Sequence, residues 1–267
     1  MSIDDQGFLS PDVEPFQKTI RERHKEFFDL FERVSRMCHR RKYDFTIHSK
    51  DGQEVFAGAL FLKLLTDTEA VVILLERGMA SQGRSMLRVA IECAINLAKI
   101  CTTYEFVQAY VLTGERQRLQ LVKGIRNNPE IGFDAVRNEI TDDLIEGIVK
   151  NLAESKREKI EDWAADVNLS WMYHGPYRVF CPDVHSGPAA LDRYLVFDAE
   201  GTELETYNVG PQNAESIPGD LMLVTRLLIE GITQAAKVFQ ISVAADLQPI
   251  QSEYERLGRL APSDLPS

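Results

Sequence analysis

The chain has 267 residues, 44% of them hydrophobic and 27% charged, the balance of a soluble globular protein. Its 16 glycines and 11 prolines are too few for a fibrous or low-complexity chain. A formal charge of −11 argues against nonspecific binding to nucleic acid or to an anionic membrane, where Lys and Arg carry the phosphate contacts.

Residues 1–14 read as a flexible acidic arm, with Pro11 and Pro15 delaying the first helix. Apolar residues then recur at helical spacing from Phe16 to about Arg41, through Ile20, Phe27, Phe31, Val34 and Cys38. A polar break at Ser49–Gln53 precedes a second helix over about Glu54 to Gly78. A corner at Gly78 to Gly83 leads to a third helix, about Arg84 to Thr102, and a fourth covers about Tyr104 to Ile125, ended by Asn127, Asn128 and Pro129. Residues 134–168 read as one long charged helical segment, a surface helix or a projecting arm. The only β signal is a hairpin near 193–207, two β-rich runs around Asp198-Ala199-Glu200-Gly201. A last apolar helix spans 217–240, and the tail after Pro249 adds one short helix before Pro262 and Pro266.

The fold class is therefore mainly α, a single-domain helical bundle of six or seven helices with one hairpin. A helical domain over 15–248 sits between the 1–14 arm and a 249–267 tail. No apolar stretch approaches the ~20 residues of a membrane span, no leader-like segment is visible, and the four cysteines form no CxxC pair, so a reducing cytoplasm is expected.

Charge is unevenly placed: residues 1–130 carry 19 basic and 18 acidic side chains, and residues 131–267 carry 11 and 23. The first half has room for a local basic patch such as Arg36, Arg40, Arg41 and Lys42, although such a run also suits the C-terminal end of a helix. Zinc-protease, α/β-hydrolase, P-loop and dinucleotide-fold motifs are absent, and neither a metal nor a cofactor is expected.

Two places carry chemistry. In the third helix Arg84, Arg88, Glu92 and Asn96 follow at steps of four along one stripe of an otherwise apolar helix. Burying such groups requires pairing, so the stripe is either an internal Arg88–Glu92 pair or the polar wall of a cleft, with Arg88 and Asn96 holding a substrate. The second place is the aromatic-rich run from Trp171 to Gly187. Arg178 and His185 lie seven positions apart, about two helical turns, so both face one side if the segment is helical. A histidine acting as general acid or base beside a guanidinium that stabilises a phosphoryl oxyanion suits metal-independent RNA cleavage. The same residues also suit a satisfied corner of the core, and His174, Asp183 and His185 offer a third arrangement around a metal.

The run Tyr177-Arg178-Val179-Phe180-Cys181-Pro182-Asp183-Val184-His185 resembles the Y-R-x-[LF]-[SC]-x-x-V-H signature of a bacterial, mostly helical family of unknown function. Arg88-x3-Glu92-x3-Asn96 is similar to that family's R-x3-E-x3-N helix. The family more distantly resembles the HEPN superfamily of helical ribonucleases, whose hallmark is an Arg–His pair near a dimer interface. The resemblance implies a homodimeric endoribonuclease of the toxin or phage-defence type. It marks Arg178 and His185 as catalytic, with Arg88 and Glu92 as supporting polar groups, and in such an enzyme Tyr177 or Asn96 would position the RNA substrate. The alternative is a non-catalytic scaffold or sensor that binds a partner protein or a small ligand.

Overall fold

The computed structural model describes residues 3–152, 158–185, 187–212 and 215–260. The chain is a mainly α, single-domain protein with one two-stranded antiparallel hairpin. Its longer helices are α1 (Val13–Arg23), α2 (Lys25–Arg41), α3 (Gly52–Glu76), α4 (Ala80–Thr102), α5 (Phe106–Arg126), α6 (Asp142–Leu152), α7 (Ile160–Asp166), α8 (Ile217–Val238) and α9 (Ala244–Leu257).

Helices α2, α3, α4 and α8 pack together and hold most of the core, including Phe28, Phe61, Leu64, Ile91, Leu97 and Leu228. Helix α9 lies on α2, α6 lies on α5, and α7 lies on α4. Helix α8 comes so close to its neighbours that a Cβ on Gly231 would sit 2.5 Å from Leu64 Cδ2 and 3.4 Å from Leu97 Cδ2. Absence of a side chain at this one position sets the spacing of the central layer.

Local chemistry accounts for the ends of α3. The Asp51 carboxylate accepts the Gln53 and Glu54 backbone N–H groups at 2.9 and 3.1 Å, an N-cap that satisfies two orphan donors. At the other end Met79 N–H donates to Leu74 O and Gly78 N–H to Leu75 O, the paired bonds of a Schellman turn, with Gly78 at φ +74°. That turn feeds directly into α4, which starts at Ala80 and therefore earlier than the glycines of the corner suggest.

Other boundaries also differ from expectation. The single helix expected over 16–41 is two, joined at His24, whose φ of −111° and ψ of 28° break the run. The joint lets α1 turn back on the end of α3, where Gln17 donates to Glu76 at 3.0 Å and Arg21 pairs with Glu76 and Glu32. Burial and the neighbouring Arg23 charge push the His24 imidazole below its ordinary pKa. The charged segment 134–168 is not one helix: Ile140 is extended, Thr141 Oγ1 caps the start of α6, and α6 and α7 dock separately through Ile148 and Trp163.

Residues 3–9 form a helical turn followed by a 3-10 turn, and the Arg77 guanidinium donates to Phe8 O at 3.1 Å. Helix α9 runs through Pro249 rather than starting after it, because Leu247, Ile250 and Leu257 are buried. Pro262 and Pro266 lie outside the described residues. The hairpin is shorter than its sequence pattern: Leu195–Phe197 pairs with Leu204–Tyr207 across an irregularity at Val196/Phe197. Its turn is held by the Asp198 carboxylate, which accepts from Thr202 N at 2.7 Å and Glu203 N at 3.2 Å. Those backbone bonds hold Asp198 below the usual carboxylate pKa.

Overfilling or emptying the α3–α4–α8 contact lowers stability without changing the fold class. Gly231→Val is expected to cost about 1–3 kcal/mol by overpacking. Leu97→Ala is expected to cost about 2–5 kcal/mol by leaving a cavity. Equilibrium denaturant unfolding measures both, and wild-type midpoints would refute the packing assignment.

Candidate functional site

Helix α4 is apolar on most sides, so each polar residue of its stripe must find a partner from another element. Arg84 Nε donates to Asp220 Oδ2 of α8 at 3.1 Å, and Ser216 Oγ donates to the same carboxylate oxygen at 3.1 Å. Burial pushes the Asp220 carboxyl above its usual range, although the Arg84 charge pulls it down.

One turn on, the Arg88 guanidinium lies over the Tyr177 ring with its carbon 4.2 Å from the centroid. It donates to Tyr177 Oη at 2.8 Å and, through Nε, to Cys181 Sγ at 3.4 Å. Tyr177 Oη in turn donates to Glu92 Oε2 at 3.2 Å. Arg88 and Glu92 thus meet through a tyrosine hydroxyl. Desolvation opposes the Arg88 charge, and the bond to Cys181 with the nearby Tyr177 and Glu92 outweighs it, so its pKa lies above the ordinary arginine value. Burial and the Glu92 charge push the Tyr177 phenol up to about 12.

Tyr177 closes a π-helical turn, Tyr173–Tyr177, that contains Pro176. Proline lacks the N–H that regular α pairing requires, and widened turns of this kind often occur at functional sites. The Tyr173 and Tyr177 rings stack at 5.0 Å. The next helical turn, Cys181–His185, also packs on α4, and its Asp183 accepts from Ser81 Oγ at 2.8 Å and lies 3.6 Å from Arg193.

Beside the relay a cleft of about 510 Å³ opens between α3, α4, α5 and α7. Glu92 and Asn96 form its α4 wall, with Phe56 and Lys63 from α3, Tyr110 and Gln117 from α5, and Trp163 from α7. A recess of about 400 Å³ continues from it, sharing Glu92, Gln117 and Trp163 and adding Arg116 and Glu158. Lys63 is held by Asp67 at 2.7 Å, and Trp163 Nε1 donates to Glu158 at 2.7 Å. The Asn96 Oδ1 atom is buried and has no hydrogen-bond partner among the described residues. Burial pushes the Cys93 thiol on the same wall up to about 12, which leaves it unreactive.

Arg88, Glu92 and Tyr177 are therefore brought together, and Asn96 shares a cleft with Glu92. Arg178 and His185 are placed elsewhere. The Arg178 side chain is exposed, lies 3.5 Å from Glu161 and stands over the Tyr173 ring. His185 is exposed at the end of the Cys181–His185 turn. Neither lines the cleft, and a turn at Phe180 interrupts the helical path between them. Asp183 is engaged by Ser81 and Arg193, and His174 faces Glu161 at 3.7 Å. No group of three metal-type side chains occurs among the described residues.

Sequence reasoning missed the walls from α3, α5 and α7. Nothing in the local sequence sets Phe56, Tyr110 and Trp163 apart from other apolar residues, and the only local signal was the polar Asn96 on an apolar helix.

A model of a family of unknown function, DUF5677, matches residues 54–203, more than half of the chain. The protein belongs to this family. The DUF5677 region runs from the first turn of α3 to the turn of the hairpin and contains the whole Arg88–Tyr177–Glu92 relay. Comparison with curated proteins and with solved structures finds no match. No helix among the described residues is long and apolar enough to cross a membrane.

The raised phenol gives a pH signature. Tyr177 has a folded pKa of about 12 against an ordinary value of 10, so its stabilising effect is complete below pH 10 and fades between 10 and 12. Tyr177→Phe is expected to cost about 1.5–3 kcal/mol near neutral pH, since the hydroxyl bonds two charged groups. It should also remove a late phase from the alkaline tyrosine absorbance titration. Loss of amplitude near pH 10 instead, with the late phase kept, would show that the hydroxyl is not in the relay.

Proposed function

We propose that this protein is a non-catalytic small-ligand sensor, which binds an organic cation with an apolar body in the α3–α4–α5–α7 cleft. The orphaned Asn96 Oδ1, one helical turn from Glu92 on the cleft wall, carries this reading. A buried acceptor without a donor is costly, and a turn of the half-buried Asn96 amide toward the cleft lets a ligand N–H satisfy it. The charge balance leans the same way: Glu92, Glu115 and Glu158 line the cleft and its recess against Arg116 and Lys63, with Lys63 paired with Asp67 and Glu115 3.5 Å from Arg118. Tyr110, Trp163 and Phe56 supply aromatic faces that attract a cation and cover its apolar part. The volume lies within the ~300–1,000 Å³ common for small-molecule sites.

The Glu92 carboxylate that would hold the cation also accepts the Tyr177 hydroxyl. Occupancy of the cleft thereby competes for the bond that holds the π turn, and the 170–185 segment reports it.

Benzamidine and benzoate separate cation from anion recognition on one aromatic body. In a Trp171→Phe background Trp163 is the remaining tryptophan, and its emission should respond to benzamidine but not to benzoate. Glu92→Gln should weaken the response by roughly tenfold, about 1.4 kcal/mol. Equal responses to both probes, or none to either, would refute the reading. The endoribonuclease implied by the HEPN resemblance is checked on the same preparations. The wild-type protein is expected to leave RNA intact, and cleavage lost in His185→Ala and Arg178→Ala would replace the sensor by the nuclease.

A further inference from the structure

A second cleft, of about 620 Å³, lies between α2 and α9 on residues outside the DUF5677 match. Arg33, Arg36 and Arg40 recur at steps of three and four on α2 and, with His39, form its rim. Ala245 and Pro249 supply exposed apolar surface within it, over the buried Met37 and Ile250. On a chain of net charge −11, three guanidinium groups around one groove are a local reversal of sign.

The nearby carboxylates are mostly committed elsewhere. Asp246, the carboxylate on the groove wall, accepts Arg41 Nε at 2.8 Å and a second bond from the same guanidinium. Glu253 is held by Arg256 at 2.8 Å and reaches Arg33 only at 4.0 Å. Glu32 is paired with Arg21 and lies 3.6 Å from Arg36. Glu69 meets His39 Nε2 at 2.6 Å and accepts from Ser35. Among the described residues Arg40 has no ion-pair partner.

We infer that this groove binds a nucleoside polyphosphate, independently of the cation cleft. Guanidinium forks match phosphate oxygens in two-bond geometry, and three of them suit a chain of phosphates better than a single carboxylate. The exposed apolar patch of Ala245 and Pro249 is the contact for the base. A volume of this size accommodates a ligand with both parts.

Calorimetric titration of the full chain with ATP, adenosine, inorganic triphosphate and a single-stranded oligoribonucleotide tests the inference. ATP should bind, with affinity falling as salt rises. Adenosine should show no measurable binding, and inorganic triphosphate should bind more weakly than ATP. Arg36→Glu combined with Arg40→Glu should weaken ATP binding by at least about tenfold. Lys150→Glu, on α6, should leave it unchanged. Both arginines are exposed, and circular dichroism melts verify that the double variant is folded. Absent ATP binding, adenosine binding as tightly as ATP, or undiminished binding by the double variant would overturn the proposal. Triphosphate matching ATP would remove the base contact and with it the nucleoside class. Binding of the oligoribonucleotide in preference to ATP would reassign the groove to RNA.

Discussion

Helix α4 runs through the core carrying two guanidinium groups and a carboxylate, and much of the architecture satisfies them. Desolvating such groups costs several kcal/mol each unless they are paired. Arg84 draws the start of α8 inward through Asp220, and Arg88 draws the 170–185 segment onto the bundle through Tyr177 and Cys181. Glu92 completes the set by accepting the Tyr177 hydroxyl. The aromatic segment has only short helical turns of its own, so its position follows from the needs of α4.

This arrangement places Glu92 between two environments. On one side it faces the tyrosine relay, and on the other it opens to a cleft lined by aromatic rings. A residue so shared couples the contents of the cleft to the hold on the π turn. The second groove, on α2 and α9, has the opposite sign of charge. Among the described residues Arg40 there has no ion-pair partner, and Arg36 and Arg33 reach carboxylates only at 3.6 and 4.0 Å.

The helices were legible in the sequence because each buries a stripe of apolar residues at the helical period, which is a local property. The hairpin was legible from its turn, since Asp198 and the glycine three residues later act on their own backbone. Breaks were harder to place. His24 interrupts a periodic run with no proline or glycine to mark it, and Pro249 sits inside a helix because packing on α2 outweighs one lost backbone bond. The charged stretch 134–168 contains no strong stop, yet docking on two different helices divides it.

The candidate site divides along the same line. The R-x3-E-x3-N spacing placed Arg88, Glu92 and Asn96 on one stripe, since 3.6 residues per turn dictates that without help from the rest of the chain. Seven-residue spacing did not bring Arg178 and His185 to that stripe: both side chains are exposed, and a turn at Phe180 interrupts the helix between them. The sequence alone determined that the chain is a helical bundle with a polar stripe on a buried helix. Only the tertiary structure decided that Tyr177 bridges the stripe and that rings from three other helices wall the cleft beside it. Contacts between segments tens of residues apart depend on how helices dock, which no local spacing encodes.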